Sequence, residues 1–129
     1  MAITFPVATK NSRADTEVDK LDVGTTNANG QIWLRDSGDN NLSKHNLSNP
    51  AFGASSAGAS VANAIADGSG LAAGVAVKYV AVDRDENIIW TGSVGPVGSG
   101  ADLEGTTSST TIAIGEVVEI SSLTYVEVS

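Results

Sequence analysis

An all-β protein built as a sandwich of short strands is what this chain predicts, and three observations carry the expectation. Ala, Gly, Ser, Thr and Val fill most of its length, and β-branched residues suit a pleated, half-buried surface. Gly, Asn and Asp recur between apolar runs and supply turns. Several runs alternate apolar and polar residues with the period of a strand, Gln31 to Arg35 and Val75 to Asp83 among them. Side chains suited to catalysis are scarce: there is no cysteine and one histidine, His45.

A chain of 129 residues fits one domain, and at that size about two-thirds of the unfolded surface can be buried. The expected division is an arm over residues 1–8 and a single sandwich over 9–129. The hydrophobic fraction of 41% leans on Ala and Val while aromatics are 5%, so the core is thin and oligomerisation would add stability. A formal charge of -8 without a Lys/Arg cluster repels phosphate backbones, which argues against nucleic acid as a partner. Without cysteine there is neither a disulfide framework nor a thiolate metal site. The start MAITFPVATK lacks a basic segment before a long apolar run, so neither a signal peptide nor a membrane span is expected.

Residues 2–7 are apolar and extended, and Pro6 removes a backbone donor, so they fit an edge strand or an arm docking on a neighbour. Ala14, Val18 and Leu21 then recur at helical spacing opposite Asp15, Glu17 and Asp19, predicting a short helix over about 10–22 that Gly24 stops. Asn29-Gly30 turns into a strand at Gln31–Arg35, and Asp36 to Asn40 turns the chain again. Leu42 and Leu47 flank a second strand before Asn49-Pro50 redirects the backbone. The Ala/Gly/Ser-rich stretch 51–74 is anchored by Val61 and Ile65, with a strand at 59–66. Val75 to Asp83 follows as a strand with both faces partly covered, and Ile88 to Ser93 pairs with it across Arg84 to Asn87. The glycines from Gly92 to Gly100 mark a long loop. Thr111 to Val128 reads as strand, broken at Gly115-Glu116, with a bulge at Ser121-Ser122 where the apolar parity shifts.

No enzyme is expected, and no catalytic, cofactor or metal residues are assigned. Ser69 in Asp67-Gly68-Ser69-Gly70 lacks the first glycine of a nucleophile elbow. Gly68, Gly70 and Gly74 miss the dinucleotide fingerprint by one residue and have no parallel βαβ unit around them. Asp83-Arg84-Asp85-Glu86-Asn87 opens like a calcium loop, but Ile88 stands at the sixth position and Val94 at the twelfth, so a polar hairpin turn is the better reading. Trp33, Trp90, Phe52 and Tyr125 could stack against a sugar ring; their alternating strands favour core packing or an interface anchor.

Leu47-Ser48-Asn49-Pro50-Ala51-Phe52-Gly53-Ala54 and then Ala62-Asn63-Ala64-Ile65 resemble a family of small virion proteins of tailed bacteriophages, the capsid decoration or cement proteins. The order continues through the acidic turn Val82-Asp83-Arg84-Asp85, the strand toward Gly92-Ser93-Val94-Gly95, and Gly100-Ala101-Asp102-Leu103. It closes with Thr110-Thr111-Ile112-Ala113-Ile114-Gly115 and Val118-Glu119-Ile120-Ser121-Ser122. The resemblance covers about residues 31–128 and, more loosely, Asn11-Ser12-Arg13-Ala14-Asp15. Gly38-Asp39-Asn40-Asn41 departs from it where the family has a longer Pro/Gly loop.

The resemblance implies a jelly-roll-like antiparallel β-sandwich with a short N-terminal helix and an extended N-terminal arm. It also implies a structural protein of the virion, on the outer surface of the capsid, that bridges and stabilises major capsid subunits. The expected partners are the major capsid protein and further copies of the chain, a trimer favoured over a dimer, with no nucleic acid, membrane or cofactor. Ile3, Phe5 and Pro6 of the arm and Val94, Pro96 and Val97 of the glycine loop are the expected contacts. The alternative is a carbohydrate-binding or host-recognition β-sandwich module that uses the four aromatic residues.

Overall fold

The computed structural model describes residues 7–95, 103–104, 110–120 and 123–126. They are mostly β, with one short helix and antiparallel pairing in all but one ladder. Helix α1 (Val7–Asp19) continues as a 3-10 turn over Lys20–Asp22. Ala14, Val18 and Leu21 are the buried stripe, each at most 2% exposed, as their spacing requires. The helix starts earlier than predicted, so Val7 and Ala8, assigned to the arm, form its first turn. No glycine or proline interrupts 7–19, and Ala8 and Lys10 are good helix formers. At the other end Val23 is extended and Gly24 has φ 134°, a left-handed geometry open to glycine. There the backbone passes so close to Arg84 and Asp85 that a Cβ would meet them at 2.7–2.9 Å.

Strands β1 (Gln31–Arg35) and β2 (Asn41–Asn46) form an antiparallel hairpin. Next come the short β3 (Ala59–Val61), β4 (Gly68–Ser69) and β5 (Gly74–Val75). The longer β6 (Lys78–Val82) and β7 (Ile88–Gly95) pair antiparallel with each other, and β6 also pairs with β1. The main sheet is therefore four antiparallel strands in the order β2-β1-β6-β7, extended at β7 by a parallel two-residue strand, β8 (Leu103–Glu104). Three ribbons complete the pairing. β9 (Thr111–Ile112) joins β5, β10 (Val117–Val118) joins β4, and β11 (Thr124–Val126) joins β3.

β6 is covered on both faces, as expected. Tyr79 and Ala81 enter the main core with Ile32, Leu34 and Leu42 from the first hairpin, while Val80 and Val82 pack with Trp33 on the opposite face. The main core also takes Leu21 from the end of the helical segment and Leu123 from near the C-terminus.

Further expectations change. The strand predicted over 75–83 is two strands, because the chain leaves the β5–β9 ribbon and enters the main sheet at Val77. That residue donates to Arg35 O at 3.0 Å and accepts from Val94 N at 2.9 Å. The strand predicted over 59–66 closes a ladder only at 59–61, with Ala62 bridged to Phe52. Beyond it, backbone bonds from Asn63 to Ala51 and from Ala66 to Asn46 tie the chain to two separate segments. Ile65 packs on the core, but Val61 is 54% exposed and anchors nothing. The long C-terminal strand is three short ones, since each pairs with a different partner and Gly115, at φ 81°, turns the chain between the first two. The expected bulge at Ser121-Ser122 lies outside the described residues.

Candidate functional site

His45 and the carboxylates of Asp36, Asp83 and Asp85 are engaged in holding the fold. His45 is fully buried on β2. Its Nδ1 lies 3.1 Å from Ala66 O and its Nε2 2.9 Å from Ser43 Oγ. A carbonyl can only accept, so Nδ1 carries the proton and Nε2 accepts from the serine hydroxyl. Burial pushes the imidazole pKa below its usual value, opposed by the Ala66 carbonyl and by Asp67.

The Asp83–Asn87 segment is a hairpin turn in which the carboxylates of Asp83 and Asp85 bind backbone. Asp83 Oδ1 accepts from the N–H groups of Asp85 and Asn87, each at 2.9 Å. Asp85 Oδ1 accepts from Thr25 and Thr26, also at 2.9 Å, and these two bonds hold its carboxyl below the usual range. Asp36 closes the β1–β2 turn in the same way, its pKa lowered first by the Asn40 N–H. Helix α1 is tied down by Asn11, which accepts from Gly58 N, and by Asp15, which accepts from both the amide and the hydroxyl of Ser55. Among the described residues no group of three or more His, Asp or Glu could hold a metal ion.

The four aromatic residues do not form one platform. Trp90 lies between Phe52, edge-on at 6.0 Å, and Tyr125, tilted at 4.9 Å, and its Nε1 donates to Tyr79 Oη at 3.1 Å. These rings stack on one another at the margin of the main core, whose packing includes Trp90 and Tyr125. Trp33 stands on the other face of the sheet, with Lys44 Nζ 4.3 Å and the Arg35 guanidinium 5.7 Å from its ring centroid. Both distances are within cation–π range.

Of the expected contact residues, Val94 is half-buried at the end of β7, packed against the core. It belongs to the sheet and not to the loop assigned to it, because β7 runs two residues further than predicted. Ile3, Phe5, Pro6, Pro96 and Val97 lie outside the described residues.

One surface was missed in the sequence. Along 69–77 the backbone alternates strictly. Gly70, Ala72, Gly74 and Ala76 face inward, while Ser69, Leu71, Ala73, Val75 and Val77 are exposed. The usual arrangement is inverted, with small residues inside and large apolar ones outside. The inner row must be small because this segment lies close on its neighbours. A Cβ on Gly70 would overlap the Ala113 carbonyl, and one on Gly74 would meet Leu42 Cδ2 at 3.0 Å. The paired segment 111–118 adds exposed Ile114 and Val117. Five of the eight exposed large apolar residues among those described therefore sit on these two joined segments. The signal was legible as Gly-Leu-Ala-Ala-Gly-Val-Ala-Val, had its parity been weighed. Two more, Val23 and Ile88, lie at the opposite end of the main sheet, where Arg84 N donates to Val23 O and Ile88 pairs with Val82.

No family model, curated protein or solved structure matches the chain.

Proposed function

We propose that this chain is a structural protein of a virion, a capsid decoration or cement protein that binds the outer surface of the shell and bridges major capsid subunits. The observation that carries the reading is the placement of exposed apolar side chains at both ends of one four-stranded sheet. Val75 and Val77 lie where β1 ends at Arg35, and Val23 and Ile88 lie where β1 begins at Gln31. Five residues of strand separate them, about 15 Å. A rigid module with two such ends can hold a further copy of the chain at the Val75/Val77 end and a capsid subunit at the Val23/Ile88 end, and in the homo-oligomer so formed weak capsid contacts made at once add through effective concentration. The acidic surface and the engagement of polar groups in turns agree with a structural role. Within this proposal the ribbons of 59–75 and 111–126 form the second layer of a jelly-roll-like sandwich, and the arm residues Ile3, Phe5 and Pro6 with Pro96 and Val97 contribute capsid contacts. The carbohydrate-binding alternative has less support, because Phe52, Trp90 and Tyr125 are taken up by one another and Trp33 stands apart.

Co-sedimentation of the purified chain with capsids lacking it tests the proposal. Saturation at fixed stoichiometry and a raised thermal-rupture temperature are expected; a chain that leaves capsids unoccupied refutes it. Because α1 begins at Val7, deleting residues 2–6 spares the helix. That deletion should weaken capsid binding and leave the circular dichroism spectrum unchanged, and undiminished occupancy would remove the arm from the interface.

A further inference from the structure

The outward ridge of Leu71, Val75 and Val77 with Ile114 and Val117 is exposed at 41–72% per residue. Side chains of this size at such exposure leave apolar surface on the order of 400 Å2 in all, the size of the largest patch on an ordinary soluble protein, which is often functional. We propose that this ridge is the contact surface for a second copy of this chain. The inference rests on the homo-oligomer in the functional reading above and is independent of the capsid.

Three observations favour another copy as the occupant. The five ridge side chains are apolar, and the segments 68–77 and 111–119 that carry them hold no Lys or Arg; their charges are the exposed carboxylates Glu116 and Glu119. Interfaces between identical subunits are more apolar than those of separately soluble partners, whose contact surfaces match the rest of the protein in polarity. Area agrees as well. A stable interface buries about 800 Å2 per partner, and at about 65% apolar it needs some 500 Å2 of apolar surface from each. Finally, each copy carries a formal charge of -8. Two such copies repel least where uncharged side chains meet, and the five ridge side chains are uncharged, with Glu116 and Glu119 beside them. The inverted alternation of 69–77 follows from this contact. The small inner row brings the backbone down onto Leu42 and Ala113, and the large outer row is covered by the neighbouring copy.

The oligomer fixes the thin core of a small chain, since burial between copies adds to burial within each. It also has a distinct salt dependence. Apolar contact between like-charged copies strengthens as salt screens their repulsion, whereas docking of a basic partner weakens.

Sedimentation velocity of the full chain without capsids tests the inference, comparing wild type with the triple variant Leu71→Ser, Val75→Ser, Val117→Ser. Wild type should run as a discrete oligomer at micromolar concentration, more tightly associated at higher salt. The triple variant should run as the 13.0 kDa monomer with self-association weakened about a hundredfold and an unchanged circular dichroism spectrum. Ile88→Ser, at the other end of the sheet, should keep the oligomer. Should the triple variant fail to fold, Leu71→Ser and Val117→Ser alone decide, each with a smaller shift toward monomer. A monomeric wild type overturns the inference, as does a ridge variant that keeps its mass or an Ile88→Ser that loses it. A chain that assembles but ignores capsids supports the ridge and refutes the capsid role; a monomer that coats capsids does the reverse.

Discussion

Gly70 should be one of the least replaceable residues of the chain. Its N–H donates to Glu116 O and its carbonyl accepts from Gly115 N, both at 2.8 Å, so the 68–77 segment is bolted to the 110–118 segment at this point. A Cβ there would overlap the Ala113 carbonyl oxygen and approach Ile112 Cγ2 to 3.1 Å. Since the obstacle is backbone and not the end of a flexible side chain, Gly70→Ala must push the two segments apart. Separation strains or breaks two backbone hydrogen bonds, each worth about 0.5–1.5 kcal/mol net. It also opens the packing around buried Ile112, so the total is about 3 kcal/mol. Urea unfolding at fixed protein concentration reads this directly. With a slope of about 1.5 kcal/mol per molar urea, the midpoint should fall by about 2 M. Gly38→Ala is the control, because its Cβ would find only ordinary contacts, at 3.4–3.5 Å, and its φ is unremarkable. It should stay within about 0.5 kcal/mol of wild type. If Gly70→Ala behaves like Gly38→Ala, the two segments are not in contact as described, and the argument for the outward ridge fails with them.

Asp15→Ala removes the acceptor for two donors of Ser55 and should cost about 2 kcal/mol; a loss below about 0.5 kcal/mol in the same urea assay would show that the Asp15–Ser55 bonds do not hold the helix. His45 is neutral in the fold with a depressed pKa, while the unfolded chain protonates near 6.5. The unfolded state therefore binds more protons below that value, and stability should fall as pH drops from about 6.5. His45→Gln should flatten this acid slope, and an equally steep slope in the variant would assign it to other groups. The carboxyl of Asp85 has its pKa lowered by Thr25 and Thr26, so its contribution is present above about 3.8 and is lost as pH falls through the lowered value. Asp85→Ala should speed hydrogen exchange at the Thr25 and Thr26 amides at neutral pH, and unchanged protection there would exclude the Asp85 bonds.

Local pattern by itself determined the helix stripe Ala14, Val18 and Leu21, the hairpin Gln31–Arg35 with its partner, and the β6–β7 hairpin around Asp83–Asn87. In each, the period of apolar residues and the turn residues beside them are short-range properties that need no knowledge of distant partners. His45 was legible only as an unlikely catalyst; that it is buried, with one tautomer set by Ala66, depends on a segment some twenty residues away. What only the tertiary structure decided is how the chain is cut into strands and which face of each is covered. Val75 to Val82 carries one continuous alternation, yet it divides because its two halves pair with different segments. From Thr111 to Val126 the residues share one composition, yet they serve three partners in turn. The same cause inverted the 69–77 segment. Residues of one strand alternate whatever covers them, so the pattern alone cannot say which row faces inward. Here the close approach of Ala113 and Leu42 leaves room only for glycine and alanine inside, and the leucine and valines are left on the surface.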